Sequence, residues 1–194
     1  MTALAQAIAR PRQRNAALAY DVALVAVGSL FIAGLAQLTI KLPFTPVPIT
    51  GQTLGVLLVG TAYGWLLGGL TLALYLAEIA VGLPFAAEAT GGADILSLAT
   101  ASGGYLWGFL AAALLMGWLA NRGWDRSLRS SISVMLLGNV VIYLVGIPWL
   151  KQSLDIGILK TLEFGLYPFI VGDTIKLLIA AGALPLAWRF ARKT

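Results

Sequence analysis

Two charges of opposite sign interrupt an apolar run. Asp173 and Lys176 stand within residues 169–188, where nearly every neighbour is apolar or small. A spacing of three residues puts both side chains on one face of a helix. A lone charge near the bilayer centre costs about 2.5–3.5 kcal/mol on insertion scales, and intramembrane ionisable residues are functional candidates by default. The pair therefore reads either as a self-neutralising strut or, with more weight, as a substrate site that needs one acid and one base at membrane depth. A lysine there holds an anion. An aspartate orients that lysine or accepts from the N–H groups of a ligand. The chemistry is recognition of a molecule of carboxylate or amide character.

Other chemistries lack their residues. The chain has no Cys and no His, which removes disulfides, thiolate nucleophiles and imidazole acid–base or metal chemistry. No G-x-x-x-x-G-K-[ST] stretch is present, so the chain does not hydrolyse ATP through a P-loop of its own. Glu78, Glu88, Asp94, Asp155 and Glu163 are scattered along the chain, so no metal site, cofactor or catalytic residue is expected. A membrane enzyme using Asp173 as an acid would want a second carboxylate on the same face. Glu78 is a candidate proton site, but reads better as a side chain reaching the membrane interface near a helix end.

The elements that position the pair are membrane helices. Apolar residues make up 59% of the 194-residue chain and charged residues 11%, against about 25% charged in a soluble domain. Six transmembrane helices are predicted, in an all-α integral membrane protein with one domain over residues 1–194: 22–40, 52–62, 65–83, 105–120, 132–150 and 168–190. The first follows Arg10, Arg12 and Arg14 and imitates a signal peptide, but it is long for one and further spans follow. Three prolines in residues 41–48 forbid a helix there and favour extended chain. Residues 53–84 are too long for one span and read as a hairpin turning near Tyr63 and Gly64, with Gly60, Gly64 and Gly68 suited to close helix approach. Residues 83–104 read as a loop, and 151–167 as an amphipathic surface stretch.

Basic residues set the orientation. With six alternating spans, Arg10, Arg12, Arg14, Arg122, Arg126, Arg129, Arg189, Arg192 and Lys193 share one side, and only Lys41, Lys151 and Lys160 the other. This pattern predicts both termini in the cytoplasm of a prokaryotic cell membrane, and marks the positive charge as a topology signal rather than a nucleic-acid one. Trp124, Trp149 and Trp188 fall near span ends, as interface anchors do. The proline-rich segment and both loops then lie outside, with Lys176 roughly 12 Å below the outer surface. A ligand pocket near the outer face, roofed by loops and walled by Asp173 and Lys176, follows.

Several blocks together resemble one known family. They are Pro46-Val-Pro-Ile-Thr-Gly-Gln-Thr-Leu-Gly-Val-Leu-Leu-Val-Gly60, Tyr75 with Gly82-Leu-Pro-Phe85, Gly103-Gly-Tyr105 with Gly108-Phe109, Gly138 with Tyr143 and Gly146-Ile-Pro-Trp149-Leu150, and Phe169-Ile-Val-Gly-Asp173-Thr-Ile-Lys176. In order and over about residues 21–190, they resemble the BioY family, the biotin-binding membrane (S) components of energy-coupling-factor (ECF) transporters. The resemblance implies an S-component fold, biotin as ligand, and as partners a transmembrane coupling protein with two ABC-type ATPase subunits. It implies that Asp173 and Lys176 contact the ligand, with Gln52, Thr90, Tyr143 and Asn139 as further substrate-binding residues. It implies that small residues on the first helix, Ala26, Ser29 and Ala33, face the coupling protein; ordinary packing within the bundle is the competing reading. The family's Gly-Pro-Thr-Gly-Gly-Tyr is here Thr-Ala-Ser-Gly-Gly-Tyr105, and the loop after Pro84 carries Phe-Ala-Ala-Glu-Ala-Thr. A stand-alone secondary transporter, driven by a proton through Glu78 or Asp173, is the alternative function.

Overall fold

A computed structural model describes residues 3–191. Seven helices follow in order: α1 Leu4–Ala9, α2 Arg14–Ala36, α3 Gln52–Ala80, α4 Gly103–Ala120, α5 Leu128–Leu154, α6 Ile158–Gly165 and α7 Ile170–Ala191. Between α2 and α3 the proline-rich chain forms an antiparallel ribbon of two short strands, β1 Thr39–Ile40 and β2 Ile49–Thr50, with Thr39 opposite Thr50. The loop from α3 to α4 carries two single 3₁₀ turns, Ala87–Ala89 and Ala93–Leu96.

Among the described residues five helices, not six, are long and apolar enough to cross a membrane: α2, α3, α4, α5 and α7. The expected second and third spans run on as the 29-residue α3. Its first arm, residues 52–63, reaches only roughly 18 Å, well short of the about 30 Å of hydrocarbon. The element is nonetheless not straight. Gly64 has φ 77° and ψ 176°, a conformation that is essentially glycine's alone, and the chain turns back there. A Cβ built on Gly68 would lie 3.0 Å from the Gly60 carbonyl oxygen, and the Gln52 amide bonds the Tyr75 hydroxyl at 2.6 Å. Neither contact is possible along an unbroken helix. The expected hairpin at Gly64 is present.

Boundaries shift for physical reasons. The helix α2 begins at Arg14 rather than at residue 22, and Asp21, within its added turns, is paired with Arg10 through two hydrogen bonds of 2.6 and 3.1 Å. In α5 the helix runs past both expected ends; Ser127 caps its start by accepting from the Ser130 N–H at 3.3 Å.

The two arms of α3 and the helix α4 form the centre, and α2, α5 and α7 pack around them. Small residues permit close approach, which lipid-embedded helices need because no hydrophobic drive acts between them. A Cβ on Gly60 would come within 2.9 Å of Ala113, and one on Gly108 within 2.9 Å of the Ile142 carbonyl oxygen. Large apolar side chains point outward instead. Leu18, Val22, Val27, Leu30 and Phe31 on α2 and Val171, Ile175, Leu178, Ile179 and Phe190 on α7 are exposed, which suits a lipid boundary.

Both ends of the described chain gather at one end of the molecule. Ala3 lies against Gly64, and Asn121 accepts from the Trp65 N–H at 3.1 Å. Trp188 donates to the fully buried Asp125 at 2.5 Å. Burial pushes the Asp125 carboxyl above its ordinary range, against the lowering effect of the Trp188 bond. Trp188 is thus a buried tie between the α4–α5 loop and α7 rather than an interface anchor, whereas Trp124 is exposed. Arg192 and Lys193 of the predicted basic cluster lie outside the described residues.

Candidate functional site

The end opposite Ala3 and Trp188 holds a cavity of about 210 Å³. Its roof is the Pro46–Val47–Pro48 segment and the α3–α4 loop, with Ala86, Glu88, Thr90, Ile95 and Thr100. Its walls are Gln52 and Thr53 from α3, Tyr105, Leu106 and Phe109 from α4, Tyr143 from α5, Phe169 from the turn before α7, and Asp173 and Lys176 from α7.

Asp173 is 7% exposed, and each of its oxygens has a partner within the protein. Its Oδ1 accepts from the Lys176 ammonium at 3.0 Å and its Oδ2 from the Tyr143 hydroxyl at 2.5 Å. The sequence motif therefore delivers an acid–base pair plus a phenol that the next helix adds. Buried charge needs a partner and hydrogen bonds to be tolerable, and Asp173 has both. The result is a polar wall with a carboxylate acceptor and an ammonium donor side by side. An apolar, aromatic surface continues it: Tyr105 meets Tyr143 edge-on with centroids 6.4 Å apart and lies 6.5 Å from Phe169. Tyr105 is itself fixed by donating to the Gly165 carbonyl at 2.8 Å.

The roof is held from beneath. Gln52 lines the cavity, but its amide is engaged within the protein: Nε2 donates to Tyr75 at 2.6 Å and Oε1 accepts from Thr50 at 3.0 Å. Tyr75 in turn donates to the Phe85 carbonyl at 2.8 Å. Gln52 thus ties the ribbon, α3 and the α3–α4 loop together under the ligand space. Thr90 also lines the cavity, with its hydroxyl donating to the Ala87 carbonyl at 2.7 Å. Thr45 donates to the Phe164 carbonyl at 2.7 Å and anchors the ribbon loop to α6.

Of the six residues expected to bind substrate, five line the cavity: Asp173, Lys176, Gln52, Thr90 and Tyr143. Asn139 does not. It lies one turn below Tyr143 on α5, 6% exposed, with Oδ1 buried and unpartnered. A turn of helix separates the two residues along the axis by roughly 6 Å, enough to take Asn139 out of the cavity wall. The expected partner face on α2 also divides. Ser29 and Ala33 are buried inside the chain, and Ser29 donates to the Glu78 carboxylate on α3. Only Ala26 of the three is exposed. Glu78 consequently serves a helix–helix bond rather than the membrane interface, and it is not in the cavity wall.

Sequence reasoning missed Tyr105, Phe109, Phe169 and Glu88 as lining residues. The glycine pair before Tyr105 was their one signal. Gly104 has room for no side chain, since its Cβ would stand 2.2 Å from Trp149, and that tight crossing turns Tyr105 inward.

Comparison with known proteins agrees with this geometry. The BioY family model matches residues 7–193. The biotin transporter BioY of Rhizobium etli is 34% identical over 169 residues, covering 83% of this chain and 89% of that one. The probable biotin transporter BioY of Pyrococcus horikoshii is 35% identical, covering 91% and 99%. The biotin transporter BioY of Thermotoga maritima is 37% identical over 142 residues, covering 73% and 81%. Among solved structures, the S-component for biotin from an ECF-type ABC transporter, determined at 2.1 Å, superimposes with a TM-score of 0.81 at 28% identity, covering 92% of this chain and 95% of that one. With its sequence matched by the family model over nearly its whole length and its fold superimposed on a solved relative, the chain belongs to the BioY family.

Proposed function

We propose that this chain is the biotin-capturing S component of an ATP-driven ECF transporter. It resides in a prokaryotic cell membrane with both termini in the cytoplasm, and it works with a transmembrane coupling protein and two ABC-type ATPase subunits. It is a transporter component and not an enzyme. The observation that carries the reading is the buried Tyr143–Asp173–Lys176 group in the wall of a roofed cavity, in a chain whose relatives are biotin transporters.

Biotin's ureido group pairs N–H donors with a carbonyl acceptor, and the wall pairs a carboxylate with an ammonium. Asp173 accepts from the ureido N–H and Lys176 donates to the ureido carbonyl. The bicyclic ring lies against Tyr105, Phe109 and Phe169. Uptake requires the roof to open outward and the partner module to move the loaded protein. The chain has no P-loop, so the ATP is hydrolysed by the partner subunits. Proton coupling through Glu78 gains nothing from the structure, because Glu78 is bonded to Ser29 away from the cavity.

Thermal-shift measurement of detergent-purified protein against a vitamin panel tests the reading. At 100 times its Kd a ligand of the folded state alone adds about 2.7 kcal/mol, so biotin is expected to raise Tm clearly and the other vitamins not. Lys176→Ala should leave the protein inserted and weaken biotin binding by about 2–5 kcal/mol, the cost of stranding one charge of a buried pair. A flat response of the wild type to biotin sinks the proposal.

A further inference from the structure

Both lysines that a ligand carboxylate could reach are already paired. Lys176 is bound to Asp173 at 3.0 Å, with side chains 15% and 10% exposed. Lys41, in the ribbon loop, is bound to Glu88 at 2.6 Å, with side chains 71% and 35% exposed. Glu88 lines the cavity under the roof and also lines an adjoining recess shared with Lys41, Thr45, Pro46 and Pro48. A carboxylate-bearing ligand must therefore displace one of two protein carboxylates, share an ammonium with one against its charge, or enter without a counter-ion.

The two displacements differ in cost. Freeing Lys176 would strand Asp173, which is buried and also holds Tyr143. Removing one partner of a buried pair is strongly unfavourable. Freeing Lys41 leaves Glu88 at a surface where water takes over, and exposed pairs contribute little. The Glu88 backbone is poised for release as well. Glu88 and Ala89 both have positive φ, 63° and 53°, uncommon and strained for residues with a side chain. The turn is held by the Ala89 N–H donating to the Gln37 side chain at 3.0 Å.

We infer that Glu88 is a built-in stand-in for the ligand's carboxylate: biotin's acid group displaces it from Lys41, which becomes the anion-binding residue at the cavity mouth. This deepens the biotin reading and rests on it. The ureido end stays at Asp173 and Lys176, and the exchange on Lys41 selects ligands bearing a free acid.

The test compares biotin with biotinamide, which keeps the ring and chain but lacks the charge, by titration of wild type, Lys41→Gln and Glu88→Gln. Wild type is expected to prefer the acid. Lys41→Gln should weaken biotin by about three- to fivefold, the upper range for an exposed ion pair, and leave biotinamide unchanged. Glu88→Gln should tighten biotin severalfold and leave biotinamide unchanged. Unchanged biotinamide affinity also certifies that each variant is folded. If Lys41→Gln keeps the acid-to-amide ratio within about twofold, or if Glu88→Gln weakens biotin, the exchange on Lys41 is overturned while biotin binding stands. If wild type binds neither compound, the biotin reading itself falls, and this inference with it.

Discussion

Asp173 illustrates what a single buried charge demands. Its two oxygens are divided between Lys176 on its own helix and Tyr143 on α5. The lysine could be anticipated, because i and i+3 share a face. That both oxygens are taken could not. A Tyr143→Phe substitution removes one donor from a buried carboxylate, and hydrogen bonds to charged groups contribute about 1.5–3 kcal/mol. We expect this variant to fold, to keep the Lys176 contact and to bind biotin about tenfold or more weakly, as measured by titration calorimetry. Affinity equal to wild type would show that the phenol does not orient Asp173 toward ligand. Gln52 carries the same lesson in reverse: it sits where the family resemblance places a ligand contact, yet both ends of its amide are engaged by Tyr75 and Thr50.

At the scale of elements, the reversal at Gly64 brings the two arms of α3 together and lets Gln52 reach Tyr75. Positive φ with an extended ψ excludes other residues at a cost of about 1–3 kcal/mol. Here, in addition, a Cβ would come within 2.7 Å of the Asn121 Oδ1 and 2.9 Å of Ala3. Gly64→Val is expected to lower Tm in detergent and to weaken biotin binding indirectly, whereas Gly182→Ala, at a half-buried position where a Cβ meets nothing within 4 Å, should do neither. Measuring both variants by thermal unfolding checks the contrast; equal Tm values would show that the hairpin does not need its glycine. The same scale explains α2. Ala26, Ser29 and Ala33 fall on one helical face by spacing, but α3 covers Ser29 and Ala33 and leaves Ala26 outside. A coupling protein on this helix would therefore meet Ala26 and its exposed neighbours.

The whole molecule is polarised along the bundle. Both ends of the described chain, the Asp125–Trp188 tie and the Gly64 turn share one end, while the ribbon, the α3–α4 loop and the cavity share the other. Arg122 stacks on Trp118 at 3.3 Å and Arg126 on Trp188 at 4.7 Å at the terminal end, where cationic side chains gather as they do on a cytoplasmic face. Reporter fusions at residues 1 and 194 should both score as cytoplasmic. Opposite sides would rule out this topology, and two external termini would turn the cavity inward and contradict capture from outside.

Composition and spacing were enough for an all-helical membrane protein, for the turn at Gly64, for the non-helical proline segment, and for the pairing of Asp173 with Lys176 on one helix face. These rest on local physics: the cost of charge in lipid, the period of a helix, the backbone limits of proline and glycine. The two arms of α3 pass back to back from the Gly64 turn, but the first is too short to qualify as a span by length alone, because a short arm packed inside the bundle need not match the bilayer thickness. Likewise Asn139 lies outside the cavity lining, Ser29 and Ala33 face inward, and Glu88 lines the cavity. Each of those outcomes depends on which helix or loop lies opposite, and a residue's neighbours across a bundle are set by packing between segments far apart in the chain. Tertiary structure alone decided them.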